Sequence, residues 1–360
     1  MLSGRYWLYH PKPQQDESLY SWVLRTAQGN GLRSYSFCQL AFQRGRLLGQ
    51  DIDRSVPEGM LAVMASKTAT PYRRAFETTL ASYEGWLVEK WQPLGRTKWV
   101  LHSGSRHRIR RVHGFQFCPL CLREDATPYL RRTWRLALWS CCPRHGCIMH
   151  DACPHCGAAL MAHRAEAIER CGACDGTLTS ALTLQADFGA LVLQQRTSAI
   201  LARGWAMLGD ATFVRSHLYF DLLHQVMRLL ASRRAAGGRL RSVIATTWGG
   251  PSEVSEESEL ERMGPIPRHA VAALTSRLLE GWPWRFVGAC LEAGVTRSRV
   301  LMDLKEVPYE LDRTLRQFMD RKSYEPSDGE VAAVVAYLRR NGIRPSTRSL
   351  HRYVWGGGVP

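Results

Sequence analysis

Nine of the eleven cysteines fall between Cys118 and Cys174, and eight residues in that stretch form four evenly built pairs. The pairs are Cys118/Cys121, Cys142/His145, Cys153/Cys156 and Cys171/Cys174, each with two residues between its members. A two-residue gap lets both side chains of a tight turn point at one ion. Pro119, Pro143 and Pro154 inside the pairs, with Gly146 and Gly157 after them, suit that turn. Tetrahedral zinc takes four such ligands. Pairing in chain order therefore gives two closed sites. Cys118, Cys121, Cys142 and His145 would hold the first Zn²⁺, and Cys153, Cys156, Cys171 and Cys174 the second. Buried free thiols would not explain four regular pairs. Cys141 and Cys147 flank the first set and can substitute for one of its members, but a small buried core residue is the preferred reading of both. Cys38 and Cys290 are isolated and read as core, and His155, inside a knuckle, reads as exposed.

Catalytic zinc keeps one coordination position open, usually beside a carboxylate base. Both sites here are fully subscribed, and the chain has no HExxH. The zinc deaminase pattern, H-x-E followed by P-C-x-x-C, has only a misspaced relative in His163-Arg164-Ala165-Glu166, with no proline before Cys153 or Cys171. Asp51 and Asp53, the nearest paired acids outside a Glu-rich stretch, read as a surface turn and not as a Mg²⁺ site. The expectation is two structural ions in a protein that is not an enzyme, each ion folding a segment too short to bury enough apolar surface alone.

The elements around the ligands read as helices. Residues 1–112 form an expected N-terminal helical domain, with a helical hairpin over 18–42 and a second helical stretch over 71–91. Residues 113–183 form the double zinc-binding domain, with Trp134 and Trp139 as its core, and 184–360 a C-terminal helical domain. In the latter, 187–236 is read as helical, with Leu222, Leu223, Val226, Leu229 and Leu230 on one face and Gly237-Gly238 closing it. A stretch over about 246–267 with five glutamates, Glu253, Glu256, Glu257, Glu259 and Glu261, reads as a flexible surface connection. Val331, Val334, Val335 and Leu338 then follow helical spacing. The fold class is mainly α, with helix-turn-helix-containing domains flanking a small double zinc ribbon.

Three segments fit a helix-turn-helix, which needs a small residue in the first helix, a turn glycine and apolar anchors in the second. In the first, Ala27, Gly31, Leu32, Phe37 and Leu40 supply these, and Arg33 stands where groove contacts are made. In the second, Cys290 and Gly294 precede the anchors Val295, Val300 and Leu301, leaving Arg297 and Arg299 exposed. The third, over 331–354, turns at Gly342 and carries Arg344, Arg348 and Arg352. A basic strip supplies Arg96, Lys98, Arg106, Arg108, Arg110 and Arg111, and Arg131, Arg132 and Arg135 follow. Lys plus Arg number 48 against 32 acids, a net charge of +16, which favours a polyanionic partner. The longest apolar run, 331–338, is far short of the roughly 20 residues that span a bilayer. No apolar leader opens the chain, so a cytoplasmic protein with reduced thiols and no membrane partner is expected.

Two groups of residues together resemble TniQ proteins. The first is Glu17-Ser18-Leu19-Tyr20-Ser21-Trp22. The second runs through Phe117-Cys118-Pro119, Cys121, Pro128-Tyr129, Arg132, Trp134-Arg135-Leu136, Cys142-Pro143-Arg144-His145-Gly146, Cys153-Pro154 and Cys156-Gly157. The resemblance covers about residues 5–178 and implies a target-selection protein of bacterial transposons. The related TnsD proteins bind a fixed chromosomal site, and shorter TniQ proteins bridge an RNA-guided CRISPR effector to an AAA+ regulator that recruits the transposase. By that likeness the partners are DNA, a TniB- or TnsC-like AAA+ ATPase, a CRISPR effector where the element carries one, the transposase indirectly, and a second copy of the chain. The alternative is a stand-alone transcription regulator reading a specific duplex through the same helices and zinc sites.

Overall fold

The structure, a computed structural model, is mainly helical with a few short strands; it describes residues 4–101, 114–209, 212–251, 257–302, 304, 306–320, 327–350 and 353. The chain divides into two compact units, Met1–Arg313 and Thr314–Pro360.

The first helix, α1 (Leu19–Gly29), starts where Ser18 accepts a hydrogen bond from the Ser21 N–H at 3.1 Å. Glu17, immediately before it, is fully buried and accepts from Ser21 Oγ at 2.9 Å and from Arg25 Nε at 2.8 Å. Ser21 Oγ in turn accepts from the Leu130 N–H at 2.9 Å, and the Ser18 N–H donates to the Leu130 carbonyl at 3.0 Å. The Glu17–Trp22 motif is thus a clamp: its polar side chains leave solvent to hold the strand-like stretch that leads to Trp134. A buried carboxylate there must be paired, and Arg25 pairs it.

Four residues separate α1 from α2 (Ser34–Phe42), with Gly31 at φ +69°. Phe37 and Cys38 of α2 are buried, and the Phe37 ring meets Trp7 edge-on at 4.9 Å. Leu40, an expected anchor, is 63% exposed instead, because the inward face of this nine-residue helix is set by Phe37 and Cys38. Next come α3 (Met60–Lys67), which periodicity did not reveal, and α4 (Tyr72–Phe76). The expected helical stretch over 71–91 is only α4 and a single turn over Leu80–Tyr83, followed by bends and turns.

The cysteine segment holds α5 (Pro119–Glu124) and a two-residue hairpin, β1 (Cys141–Cys142) with β2 (Cys147–Ile148). Beyond it, α6 (Phe188–Arg203) and α7 (Ser216–Ala231) are separated by an antiparallel hairpin, β3 (Trp205–Leu208) and β4 (Thr212–Arg215). This hairpin interrupts what the sequence reads as continuous helix. Its strands alternate: Ala206, Leu208 and Val214 are buried, and Trp205, Met207 and Phe213 face out. The five apolar residues of α7 predicted to share a face are all buried. Gly237 and Gly238 do not close that helix; they lie in the first turn of α8 (Ala235–Trp248). Helix α9 (Pro265–Leu279) packs against α6 and α7, and α10 (Trp284–Glu292) and α11 (Arg297–Val300) follow. The Glu-rich stretch is not simply a loose surface connection. Leu260 and Met263 are buried, and Glu261 accepts from the Trp99 N–H at 2.7 Å and bonds His224 at 2.9 Å. The boundary between the units falls inside α12 (Tyr309–Phe318). In the second unit, Ser327 and Glu330 cap α13 (Asp328–Arg340) reciprocally, Leu338 is buried, and α14 (Thr347–Leu350) follows Gly342.

One residue ties the first hundred residues to the cysteine segment. Arg135 is 0% exposed and gives hydrogen bonds to Asp51 Oδ1 and Oδ2 at 3.0 and 2.7 Å, to Asp53 Oδ2 at 2.9 Å, and to the carbonyls of Leu101 and Gly114 at 3.1 and 3.0 Å. Asp53 is fully buried, so the Asp51/Asp53 pair is no surface turn but the counterion of a buried guanidinium. Burial raises the Asp53 carboxyl to about 6, against the opposing pull of Arg135, so it is still ionised at neutral pH. Removing one partner of such a group strands the others. Arg135→Leu is expected to cost about 3–5 kcal/mol, read as a lowered midpoint in denaturant unfolding, with Arg73→Leu, which changes only an exposed pair, within about 0.5 kcal/mol of the parent.

Candidate metal centre

The four cysteine-containing pairs are built alike. In each, the residue after the second member donates its N–H to the carbonyl of the first: Leu122 to Cys118 at 3.1 Å, Gly146 to Cys142 at 2.8 Å, Gly157 to Cys153 at 2.9 Å and Asp175 to Cys171 at 2.9 Å. In three of the four that residue sits at positive φ, +59° for Gly146, +70° for Gly157 and +59° for Asp175. The first two are the glycines expected to suit the turns. In the fourth the chain continues into α5, whose N-cap is Cys118 itself.

These turns bring the eight side chains together as two groups, Cys118/Cys121/Cys142/His145 and Cys153/Cys156/Cys171/Cys174, with donor atoms within 4.8 Å of one another in each. In the first, His145 Nδ1 lies 3.4, 3.3 and 3.5 Å from the sulfurs of Cys118, Cys121 and Cys142, and Cys121 Sγ is 3.7 Å from Cys142 Sγ. In the second, Cys153 Sγ to Cys174 Sγ and Cys156 Sγ to Cys171 Sγ are both 3.7 Å. A Zn–S bond of about 2.3 Å places sulfurs on a tetrahedron about 3.8 Å apart. Donor types and spacing therefore fit zinc at both sites, without rearrangement.

The electrostatics are those of thiols waiting to share protons or a cation. Hydrogen bonds from Cys121, Cys142 and Cys147 hold the Cys118 thiol far below its usual range, while the bond to Cys118 pushes Cys121 and Cys147 up. At Cys171 burial acts upward, but N–H groups of Ala173 and Cys174 win and bring the thiol to about 7. Cys147 Sγ lies 3.6 Å from Cys118 Sγ, so it touches the first site on one side, whereas Cys141 is buried with its sulfur towards the Ala190 carbonyl at 4.0 Å.

Outside the ligands, Glu124 Oε2 bonds His145 Nε2 at 2.9 Å and accepts from Arg144 Nη2 at 3.0 Å. A carboxylate on the far nitrogen fixes which ring nitrogen faces the metal and raises its basicity. His145 in return draws the Glu124 carboxyl down from its ordinary value. Sequence reasoning missed Glu124; its place three residues after Cys121, at the end of α5, was the available signal.

The two sites are set differently. The first lies against the helices: β1 contacts α6, and β2 contacts α9. Behind it Arg268, fully buried on α9, donates to Gln116 Oε1, and Gln116 Nε2 donates to the carbonyls of Trp134 and Leu136 at 3.1 and 3.2 Å. Trp134 and Trp139 are buried, as expected of a core around the metal segment. The second site is more open, with Cys156 and Cys174 exposed. His155 is exposed and bonds the Thr177 carbonyl and Ser180, outside the donor set. The loop between its pairs docks on the first helices through His163, whose N–H donates to Tyr20 Oη at 2.8 Å and whose carbonyl accepts from Ser34 Oγ at 2.6 Å.

The expected nucleic-acid contacts are scattered. Arg33 is exposed at the start of α2, Arg299 is exposed on α11, and Arg344 is exposed beyond α13. Arg297 is not free as expected: it is half-buried and pairs with Asp312 at 3.1 Å, because α11 is a four-residue helix turned towards α12. Arg96 and Lys98 pair with Glu259 and Asp221 at 2.8 and 2.6 Å. Arg106, Arg108, Arg110 and Arg111, together with Arg352 and the side chain of Arg348, lie outside the described residues.

Residues 8–149 match the family model TniQ. The chain carries a TniQ domain. That segment takes in the Glu17–Trp22 clamp, the Arg135 cluster and all four donors of the first site, and it ends before Cys153. A TniQ domain points to a role in target selection for transposition. A search of curated proteins returned no match. Among the described residues no helix is long and apolar enough to cross a membrane.

Three variants test the metal assignment. Cys142→Ser should lose one of two zinc ions per chain and up to about 10 kcal/mol of folding energy, giving insoluble or protease-sensitive protein, whereas Cys147→Ser should keep both ions by metal analysis. Glu124→Ala should leave the zinc count intact but weaken retention of one ion by about 10–100-fold in a chelator competition.

Proposed function

We propose that this chain is a non-catalytic target-selection adaptor of DNA transposition, linking target DNA, or an RNA-guided DNA-binding complex, to an AAA+ transposition regulator. The observation that carries the reading is the TniQ match over 8–149. Both metal clusters have four protein donors, which leaves no open position for substrate, so we assign them two structural zinc ions. By segment, 1–112 and 184–360 are the helical parts that meet partners, and 113–183 is the metal-stapled platform between them. The net charge of +16 supports a nucleic acid or a nucleoprotein among the partners. The adaptor works in the cytoplasm.

The stand-alone regulator reading is weaker on physical grounds. Direct readout needs a helix that can enter the major groove. Helix α11 has four residues, and at the start of α2 Ser34 is held by the His163 carbonyl, leaving Arg33, Tyr35 and Ser36 exposed. We retain α1–α2 as the helix-turn-helix candidate, for a partner or for DNA.

The experiment is a pull-down of the purified, metal-quantified chain against a TniB- or TnsC-like AAA+ ATPase, with and without duplex DNA. Binding to the ATPase is the expected result. Tight sequence-specific duplex binding with no affinity for the ATPase would replace the adaptor by the regulator.

A further inference from the structure

The hairpin β3–β4 turns a face to solvent that a half-exposed ribbon ordinarily makes polar. It carries Trp205, Met207 and Phe213, with Trp205 41% and Phe213 67% exposed. The register sets Met207 opposite Phe213, and Trp205 opposite Arg215, which is exposed too. A third ring arrives from a remote part of the chain. Trp86, also exposed, lies against Gly204 between α6 and β3, where an added Cβ would stand 2.8 Å from the indole. Gly204 sits at φ +82°, so both its backbone and its neighbour exclude a side chain there.

This face is held from behind. Ala206, Leu208 and Val214 are buried, and Arg196 of α6 donates to the Met207 carbonyl at 2.6 Å. The rings of Trp205 and Phe213 are 5.4 Å apart and inclined at 52°, so they do not stack face to face. The mostly exposed Phe213 ring is thus open to a flat partner.

Two cations frame the rings. The Arg203 guanidinium lies 4.8 Å from the centre of the Trp205 ring, and Arg215 stands across the ribbon from it. Both are exposed, and among the described residues neither is paired with a carboxylate. Of the acids nearest Trp86 in the chain, Glu84 accepts from the Trp91 N–H at 2.7 Å, and Glu89 is followed by Lys90. A single nucleic-acid strand meets both needs of the face at once. Its unstacked bases lie on aromatic rings, and its phosphates pair with guanidiniums. A duplex keeps its base faces stacked inside, and an apolar protein segment covers the rings but leaves the guanidiniums without anions.

We propose that the outer face of β3–β4, together with Trp86, is a platform for single-stranded DNA. The choice of DNA over RNA rests on the transposition reading; the platform itself does not. Of its residues only Trp86 lies within 8–149, so most of it stands outside the segment that matches the family model. The net charge of +16 is complementary to such a strand.

The test uses the full chain, with zinc content and melting temperature checked for every variant. Anisotropy at several salt concentrations measures binding of a labelled DNA strand of about 20 nucleotides, the same strand as RNA, and the DNA duplex. Phe213→Ala should weaken the DNA strand at least about fivefold with the salt slope unchanged, and Phe213→Tyr, which keeps a ring, should bind as the parent does. Arg215→Gln should lower the salt slope by about 0.7, the share of one phosphate contact on a single strand. Phe188→Ala, an exposed ring about 22 Å away at the other end of α6, should change neither. The proposal is overturned if the parent does not bind the strand, or if Phe213→Ala and Arg215→Gln bind it as the parent does. Tighter binding of RNA or duplex with the same losses also overturns it, as does loss of ATPase capture in these variants with strand binding intact, which marks a protein dock. A parent that binds the strand but never the ATPase sinks the adaptor reading and leaves the platform standing.

Discussion

A guanidinium with no exposed surface persists only where oxygen atoms surround it, and Arg135 has found such a place. Its partners come from three separate stretches, the Asp51/Asp53 pair, Leu101 and Gly114. Each must be in position before the charge is tolerated, so the group fixes where the cysteine segment sits against the N-terminal helices. Arg268 does the same on the opposite side, joining α9 to Gln116 and through it to the carbonyls of Trp134 and Leu136. The metal knuckles close locally; these two buried arginines decide what the knuckles are attached to.

That division of labour separates the two metal sites. The first is wedged against α6 and α9, and its donors come from a helix start and a strand hairpin. The second stands further out, on two short hairpins whose bridges join Ala152 to Ala159 and Arg170 to Thr177. The hairpins are short, and Leu160, Ile168 and Leu178 beside them are buried, so an ion bound there would add to the order that this apolar burial supplies.

What the sequence revealed depended on range. The eight donors were readable because each pair is a local turn, and a two-residue spacing with Pro and Gly is what a metal knuckle requires. The buried face of α7 was readable because helical periodicity is local too. Interactions that join distant stretches were not. Arg135 looked like one more member of a basic strip, and Asp51/Asp53 like a surface turn, since nothing in the spacing places them beside each other. Glu261 was hidden in a run of glutamates that composition marks as solvated. The hairpin between α6 and α7 was missed because its strands are four residues each and stand between two strongly helical stretches. The helix-turn-helix patterns fitted local spacing, yet spacing does not set helix length, and α11 stops after one turn.

The loop that joins the two halves of the second metal site touches Tyr20 and Ser34 through one residue, His163. Ser34 begins the helix whose first turn presents Arg33, Tyr35 and Ser36 to solvent. Because those contacts exist only when the loop is folded, ion binding and the order of that first turn are thermodynamically linked, and linkage runs both ways. A macromolecule that grips the ordered start of α2 would tighten the binding of an ion at the more exposed site, and a chain without an ion there would present a looser surface to the same partner.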